Sequence, residues 1–350
     1  MQQFFKNQKV KAMKKKHYLI AIAVCLMAVA GGFYYYLMSG FSTSESTEYV
    51  YIDDNDDLDS VSTKLSSIAS GNAIMIFNTL SKVGGYADKI RTGRYAINPG
   101  EDVITVFRNL KNGHQEPVRL TIPESRTMDR LAGSLGKKLM IDSTALAICL
   151  QSQGFCEQYG CDTATIACLF VPNTYEVYWN TSIENLMERM QKEHDRFWNE
   201  ERTDKASALG LTPNDVCTLA SIIDEETANN GEKPMIAGMY LNRLEKGMPL
   251  QADPTVKFAL KNFALKRIYH DMLFYDSPYN TYRNVGLPPG PIKIASIKGI
   301  DAVLNRVSHN YLYMCAKEDF SGTHNFAATY PEHLRNAAKY SKALNERGIK

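Results

Sequence analysis

Three consecutive acids, Asp224, Glu225 and Glu226, close the segment Leu219-Ala-Ser-Ile-Ile-Asp-Glu-Glu-Thr227. A carboxylic acid that keeps its proton near neutral pH is what general acid catalysis requires, so the question is which of the three is placed to do so. On a helix turning roughly 100° per residue, Val216, Leu219, Ala220, Ile222 and Ile223 form one apolar stripe. Glu226 falls roughly 50° from the centre of that stripe, Asp224 roughly 110° and Glu225 roughly 150°. Glu226 is therefore expected beside aliphatic side chains, where burial disfavours the charged form and raises the pKa. The phase of Asp224 and Glu225 predicts exposure. A buried ion pair is the competing explanation for a Glu so close to an apolar face.

Downstream, the loop Asn229-Asn-Gly-Glu-Lys-Pro234 leads into a helix predicted over Met235 to Lys246, stopped by Gly247 at its C′ position. Leu250-Gln-Ala-Asp-Pro-Thr255 sets Asp253 directly before Pro254, the pattern of an N-cap followed by proline at N1, so capping alone is a sufficient reason for that Asp. Tyr279-Asn-Thr-Tyr282 and Gly286-Leu-Pro-Pro-Gly-Pro-Ile292 read as rigid aromatic and proline loops, and Gly322-Thr-His-Asn-Phe326 and His333 follow. Taken singly, Tyr282 and Phe326 fit core aromatics and His324 fits a hydrogen-bonded loop residue.

Their joint order is more specific. The series Leu219–Thr227, Leu241-Asn-Arg-Leu244, Leu250–Thr255, Tyr279–Tyr282, Gly286-Leu-Pro-Pro-Gly290 and His324-Asn-Phe326, with Phe170-Val-Pro-Asn-Thr-Tyr175 before it, resembles the YceG family of endolytic murein transglycosylases, also known as MltG. The resemblance covers almost the whole chain after residue 17. It implies an enzyme that cuts nascent peptidoglycan glycan strands at the outer face of the cytoplasmic membrane, with the glycan-synthesis machinery as expected partner. It also implies catalysis by the Glu immediately before the Thr, here Glu226. The expected reaction breaks the MurNAc–GlcNAc bond through attack by the muramyl 6-hydroxyl, leaves a 1,6-anhydro end and terminates elongation. One carboxyl, Glu226, serves first as acid and then as base. Gln251, Asp253, Thr255, Asn280, Tyr282 and His324 are the expected substrate-binding set. The chain departs from the family pattern at Asp224, where a Glu is common, and at Ala327 and Leu334, where Asn is usual.

Two other readings compete. One is a hydrolytic muramidase pairing Glu226 with Asp253, since ordinary glycosidases use two carboxyl groups. The other is a membrane-tethered scaffold that binds peptidoglycan without cleaving it. No cofactor or metal is expected: the P-loop and the H-E-x-x-H zinc motif are both absent from the sequence. An EF-hand loop begun at Asp53 would carry Leu58 at the glycine position and Lys64 where the bidentate Glu belongs, so the acidic run Asp53–Asp59 reads as a turn capping the next helix.

The elements that must position these residues begin with the N-terminus. Lys6, Lys9, Lys11, Lys14, Lys15 and Lys16 lie in a basic tail, residues 1–17, without an acid. Residues 18–38 carry no charge and end in Phe33, Tyr34, Tyr35 and Tyr36, which suits a membrane-spanning helix with interfacial aromatics. The apolar stretch exceeds the usual h-region of a cleaved signal peptide. The lysines predict an N-terminus in the cytoplasm and the rest of the chain on the outer, periplasmic side. The net charge of +2 over 350 residues is concentrated in that tail, which argues against a nucleic-acid-binding domain.

The fold class expected is α+β. Residues 39–47 read as a polar linker. Residues 48–118 follow the order strand, helix, helix, strand, helix, with Tyr49–Ile52 and Gly93–Ile97 as strands and Val103–Leu110 helical, a small mixed unit that resembles the LysM-like domain. Residues 119–350, opened by the strand Pro117–Ile122, form the larger, mostly helical catalytic domain. Of the seven cysteines, Cys149, Cys156, Cys161 and Cys168 are close enough for local disulfides, with free buried thiols as the alternative. They contain no C-x-x-C pair, against structural zinc. Cys217 has no neighbouring His in sequence and is a poor candidate nucleophile.

Overall fold

The structure, a computed structural model, describes residues 1–38, 40–265 and 267–348. The side chains of residues 2–12, 33 and 36 lie outside the described set, and with them the expected roles of Lys6, Lys9, Lys11, Phe33 and Tyr36. Helix α1 (Gln2–Leu37) contains one stretch, Met13–Gly32, long and apolar enough to cross a membrane. The lysine-rich tail and the apolar stretch are one continuous helix, so the boundary at residue 18 is a change of composition and not of secondary structure. Two compact units divide the chain: Met1–Val118 with Tyr178–Asn180, and Arg119–Val177 with Thr181–Lys350.

The first unit contains β1 (Glu48–Ile52), α2 (Leu58–Ser66), α3 (Gly71–Val83), β2 (Gly93–Ile97) and α4 (Val103–Asn112). The strands pair antiparallel with Val50 opposite Tyr95, and β2 alternates buried and half-buried residues as a strand with one covered face must. Val103, Val106, Phe107 and Leu110 are spaced three and four apart, which turns one face of α4 onto that sheet's core. Asp57 caps α2 in a reciprocal box with Ser60, so the acidic run is a helix start, as expected.

Two expectations need correction here. Of the expected polar linker, residue 39 lies outside the described residues, and residues 40–42 are docked on the first unit: Gly40 bridges Asp102, Ser42 bridges Ala69, and Phe41 between them is fully buried, 6.2 Å edge-on to Phe77. One large apolar side chain in a polar run is enough to anchor it to the core. The second domain is not continuous from 119 either. Trp179 packs against Tyr51 at 5.1 Å, and the Asn180 amide donates to the carbonyl and hydroxyl of Thr92 at 3.0 and 2.9 Å, which ties Tyr178–Asn180 to the first unit.

The second unit starts with β3 (Val118–Thr121), the short helices α5 (Met128–Gly136), α6 (Ser143–Leu150) and α7 (Gln153–Glu157), and β4 (Thr174–Val177), which pairs with β3. Then come α8 (Ile183–Phe197), α9 (Glu200–Ala208), α10 (Pro213–Glu226), α11 (Lys233–Glu245), α12 (Asp253–Ala259) and α13 (Ile297–Leu304). The strands β5 (Tyr313–Ala316) and β6 (His324–Ala327) form an antiparallel pair, and α14 (Tyr330–Glu346) packs on it. Helix α10 is the axis of this unit. It starts in a capping box of Thr212 with Asp215 and has Pro213 in its first turn, and every residue from Val216 to Ile223 is buried. A helix buried all round needs neighbours on every face, and α9, α11, α12 and α13 all contact it.

Cys25, Cys149, Cys156, Cys161, Cys168, Cys217 and Cys315 are all free thiols, so the free alternative holds over local disulfides. Cys156 and Cys161 donate to the carbonyls of Leu150 and Tyr159, each at 3.6 Å. Contact with Cys217, then burial, holds the Cys168 thiol well above its ordinary range.

Candidate active site

Glu226 is the last residue of α10, and the chain turns out of the helix at Thr227, which is extended at φ −145°. The turn is held locally: Thr227 Oγ1 accepts from the Asn229 N–H at 3.1 Å, and Asn229 Oδ1 from the Gly231 N–H at 3.0 Å. Helix α11 then brings the Tyr240 hydroxyl to Glu226 Oε1, donating at 2.8 Å. Oε2 has no hydrogen-bond partner among the described residues.

The three acids are separated by their partners. Glu225 receives a two-pronged hydrogen bond from the Arg126 guanidinium at 3.0 and 2.6 Å. The side chain of Asp224, expected to be exposed, is in fact 2% exposed and bonds Lys233 Nζ at 2.7 Å, the Ser296 N–H at 2.7 Å and the Ser296 hydroxyl at 2.8 Å. The phase argument fails there because α13 and Lys233 cover the face that a single-helix wheel leaves open. Gly299 permits this approach, since a Cβ at that position would come within 2.5 Å of Asp224 Oδ1. Glu226 alone among the three has no ion-pair partner among the described residues.

Burial pushes the Glu226 carboxyl up to about 7. The Tyr240 hydroxyl works against the rise by bonding the charged form, the nearby Asp253 charge adds to it, and His324 and Lys257 oppose it. The C-terminal end of a helix also disfavours an anion. Tyr240, nearly fully buried, has its own pKa raised well above the ordinary value, first by burial and then by Glu226, and stays a phenol donor.

Glu226 opens into a cleft of about 240 Å³, lined also by Tyr240, Gln251, Asp253, Tyr282 and His324. Met314, Cys315 and Ala316 of β5 complete the lining. Asp253 is not the N-cap of α12; Ala252 holds that place without a side-chain bond, and the exposed Asp253 carboxylate accepts from the Tyr282 hydroxyl at 2.6 Å. That hydrogen bond, added to burial, raises the Tyr282 pKa. Gln251 adopts φ 54°, a left-handed conformation that costs a non-glycine residue about 1–2 kcal/mol. It is held there by its N–H bond to the Thr281 carbonyl at 3.1 Å and by Arg243, which donates to Gln251 Oε1 at 3.3 Å.

Thr255 and Asn280, expected to bind substrate, lie behind the cleft wall and are fully buried. The Thr255 hydroxyl meets that of Thr281 at 2.8 Å. The Asn280 amide donates to the carbonyls of Leu273 and Tyr275 at 2.9 and 2.8 Å, while its Oδ1 accepts from the Tyr282 N–H at 3.0 Å. Both shape the cleft by fixing loops, and their side chains are not available to a ligand.

Three residues escaped sequence reasoning. Glu232, 8% exposed, accepts from the His324 N–H at 2.6 Å and contacts His324 Nδ1 at 2.9 Å, which fixes the imidazole at the cleft. It lies in the loop before Pro234, where nothing in the local pattern announces a partner 92 residues on. Arg243, also buried, donates to the carbonyls of Leu312, Pro249 and Leu250 at 2.6, 3.0 and 2.9 Å and so ties β5 to the Gln251 loop. Tyr240 requires knowing how α11 returns along α10.

Residues 50–339 match the YceG-like family. The chain belongs to this family. The endolytic murein transglycosylase of Streptococcus pneumoniae D39 is 27% identical over 363 residues, a match that covers 93% of this chain and 65% of that protein. The chain therefore spans just under two-thirds of that relative's length. The endolytic murein transglycosylase of Bacillus subtilis 168 is 30% identical over 281 residues, with 75% and 76% covered. A crystal structure of a YceG-like protein from Listeria monocytogenes superposes with a TM-score of 0.53 at 26% identity, over 83% of this chain and 99% of that one. For this YceG-like chain, Leu241-Asn-Arg-Leu244 and Tyr279-Asn-Thr-Tyr282 have a physical content: Asn242 and Arg243, on α11, and Asn280 fix neighbouring loops through hydrogen bonds to their carbonyls.

Proposed function

We propose that this chain is a membrane-anchored endolytic lytic transglycosylase that cleaves the MurNAc–GlcNAc bond of nascent peptidoglycan strands and so ends their elongation. The observation that carries the reading is the state of Glu226: a carboxyl in no ion pair among the described residues, raised to about 7 by burial, oriented by Tyr240 and open to a cleft. Such a group holds a proton at neutral pH and can give it up.

In this reading Glu226 donates that proton to the glycosidic oxygen, the bond from muramyl C1 to that oxygen breaks, and the GlcNAc side leaves as an alcohol. The muramyl 6-hydroxyl then attacks C1 and returns its proton to the Glu226 carboxylate. A 1,6-anhydro end forms and no water is consumed. Asp253, Gln251, Tyr282 and His324 supply polar contacts to the sugars along the cleft. Glu226→Gln removes the acid at constant shape and is expected to lower turnover about a thousandfold, the middle of the range for acid–base catalysis. Near-normal turnover in that variant would sink the assignment.

One observation favours a second reading. Asp253 lines the same cleft as Glu226 and acts on it electrostatically, as the second carboxylate of a hydrolytic muramidase would. Digestion in ¹⁸O-labelled water separates the two, because hydrolysis incorporates the label and anhydro formation does not. A binding scaffold without turnover is disfavoured by the open, protonatable Glu226.

The remaining parts of the reading concern place. Helix α1 serves as a single-pass anchor with its lysines inside and both units outside. The β-α-α-β order of the first unit supports a LysM-like glycan-binding role. An enzyme tethered where strands emerge works beside the glycan-synthesis machinery, which co-purification from cross-linked membranes would test.

A further inference from the structure

Helix α12 joins two cavities of the second unit. Its first residue, Asp253, stands in the catalytic cleft, and Phe258, about 7.5 Å further along the helix axis, lines a separate pocket of about 360 Å³. That pocket has an aromatic floor: Phe258 lies 4.8 Å from Tyr279 and 6.3 Å from Phe263, and Met128, Ile166 and Pro291 extend the apolar wall.

Cations outnumber acids at its rim, where Asp129 already accepts from the Gln151 amide at 2.8 Å, and the cations are of two kinds. Arg126 and Lys293 are already answered, by Glu225 at 2.6 Å and Glu124 at 2.8 Å. Lys261 on the rim, Lys257 beside it and Arg130 over the Phe263 ring at 5.9 Å have no carboxylate in ion-pair contact among the described residues. An aromatic floor with unanswered cations fits a ligand that is apolar in body and carries carboxylates.

We propose that this pocket binds the short anionic peptide borne by a muramyl residue, placed beside the cleft by α12 while the glycan strand itself lies over Glu226. The assignment rests on the glycan-cleaving reading above. The muramyl peptide combines methyl-sized side chains with free carboxylates on a branch off the strand, and the pocket offers the complementary surfaces on the helix that also lines the cleft. Sugar rings alone would leave the lysines unanswered.

The test uses the full-length protein carrying Glu226→Gln, so that binding is read without cleavage. A soluble disaccharide-tetrapeptide and the same disaccharide stripped of peptide are titrated by calorimetry. The peptide-bearing ligand is expected to bind at least tenfold more tightly. Lys261→Glu and, separately, Phe263→Ala should each remove most of that preference, Lys261→Arg should restore it, and the stripped sugar should bind all variants alike. Equal binding of the two ligands, or equal loss on both in the variants, would overturn the pocket. Turnover on peptide-bearing strands by the Glu226-intact protein reports separately on the glycan-cleaving reading: preference without turnover sinks that reading and leaves the pocket standing.

Discussion

At the scale of single residues, Glu226 is distinguished from its neighbours by what surrounds it, and the surroundings make opposite predictions for two variants. With its carboxyl at about 7, Glu226 is protonated below that pH, so if it is the general acid proposed above, kcat/KM should fall as pH rises through about 7. Tyr240→Phe deletes a donor to the charged form and should move this limb to higher pH; Asp253→Asn deletes a repelling charge and should move it lower. Shifts in the same direction would contradict the electrostatic account. The same proton affects stability. Glu226 has a folded pKa above its ordinary 4.5, so the fold binds its proton more tightly, and stability drops as pH rises from 4.5 to about 7. Above that window Glu226→Gln should be the more stable protein by roughly 3 kcal/mol, readable from urea midpoints at pH 8 and vanishing below pH 4.5. Glu232→Gln keeps the bond to the His324 N–H while removing the charge facing the ring. It should lower kcat several-fold with an altered pH profile, and an unchanged profile would make Glu232 a purely structural partner.

At the scale of elements, α10 is held by neighbours on all sides, and the buried Asp224–Lys233 pair ties it to α11. Removing one partner of such a pair leaves a buried charge unanswered, so Lys233→Met should cost about 3–5 kcal/mol in denaturant unfolding. A loss under 1 kcal/mol would mean that water reaches Asp224. Thr255→Val removes the hydroxyl bridge to Thr281 and should cost about 1–2 kcal/mol while raising KM, since it loosens the loop that carries Asp253. The elements themselves were largely legible. The helix predicted over Met235 to Lys246 is Lys233–Glu245, ended by Gly247 at φ 62°, and the strand at Gly93–Ile97 is found with those bounds. Periodicity and stop signals are local, and local signals survive folding. What was not legible depended on a second layer. Asp224 was misplaced because the stripe of one helix says nothing of α13 above it. Thr255 and Asn280 carry polar side chains in motif loops, yet their partners are backbone groups and a hydroxyl supplied by the fold. Asp253 sat in an N-cap pattern, but the actual cap is Ala252.

At the scale of the whole molecule, the first unit opens with a helix able to cross a membrane, and the two units have separate cores. The buried residues around Glu226 all come from the second unit, so deletion of residues 1–38 should release the protein from membranes without loss of glycan cleavage in solution. Sedimentation of both forms with membrane vesicles, followed by turnover on purified strands, checks this. The central claim is that one carboxyl, Glu226, protonates a glycosidic bond whose cleavage is completed by the sugar's own hydroxyl. Mass spectrometry of products from purified glycan strands digested in ¹⁸O-labelled water tests it most directly. The account predicts internal cuts ending in 1,6-anhydro-muramyl groups, free of label and absent with Glu226→Gln. Reducing muramyl ends carrying ¹⁸O would contradict it and establish hydrolysis instead.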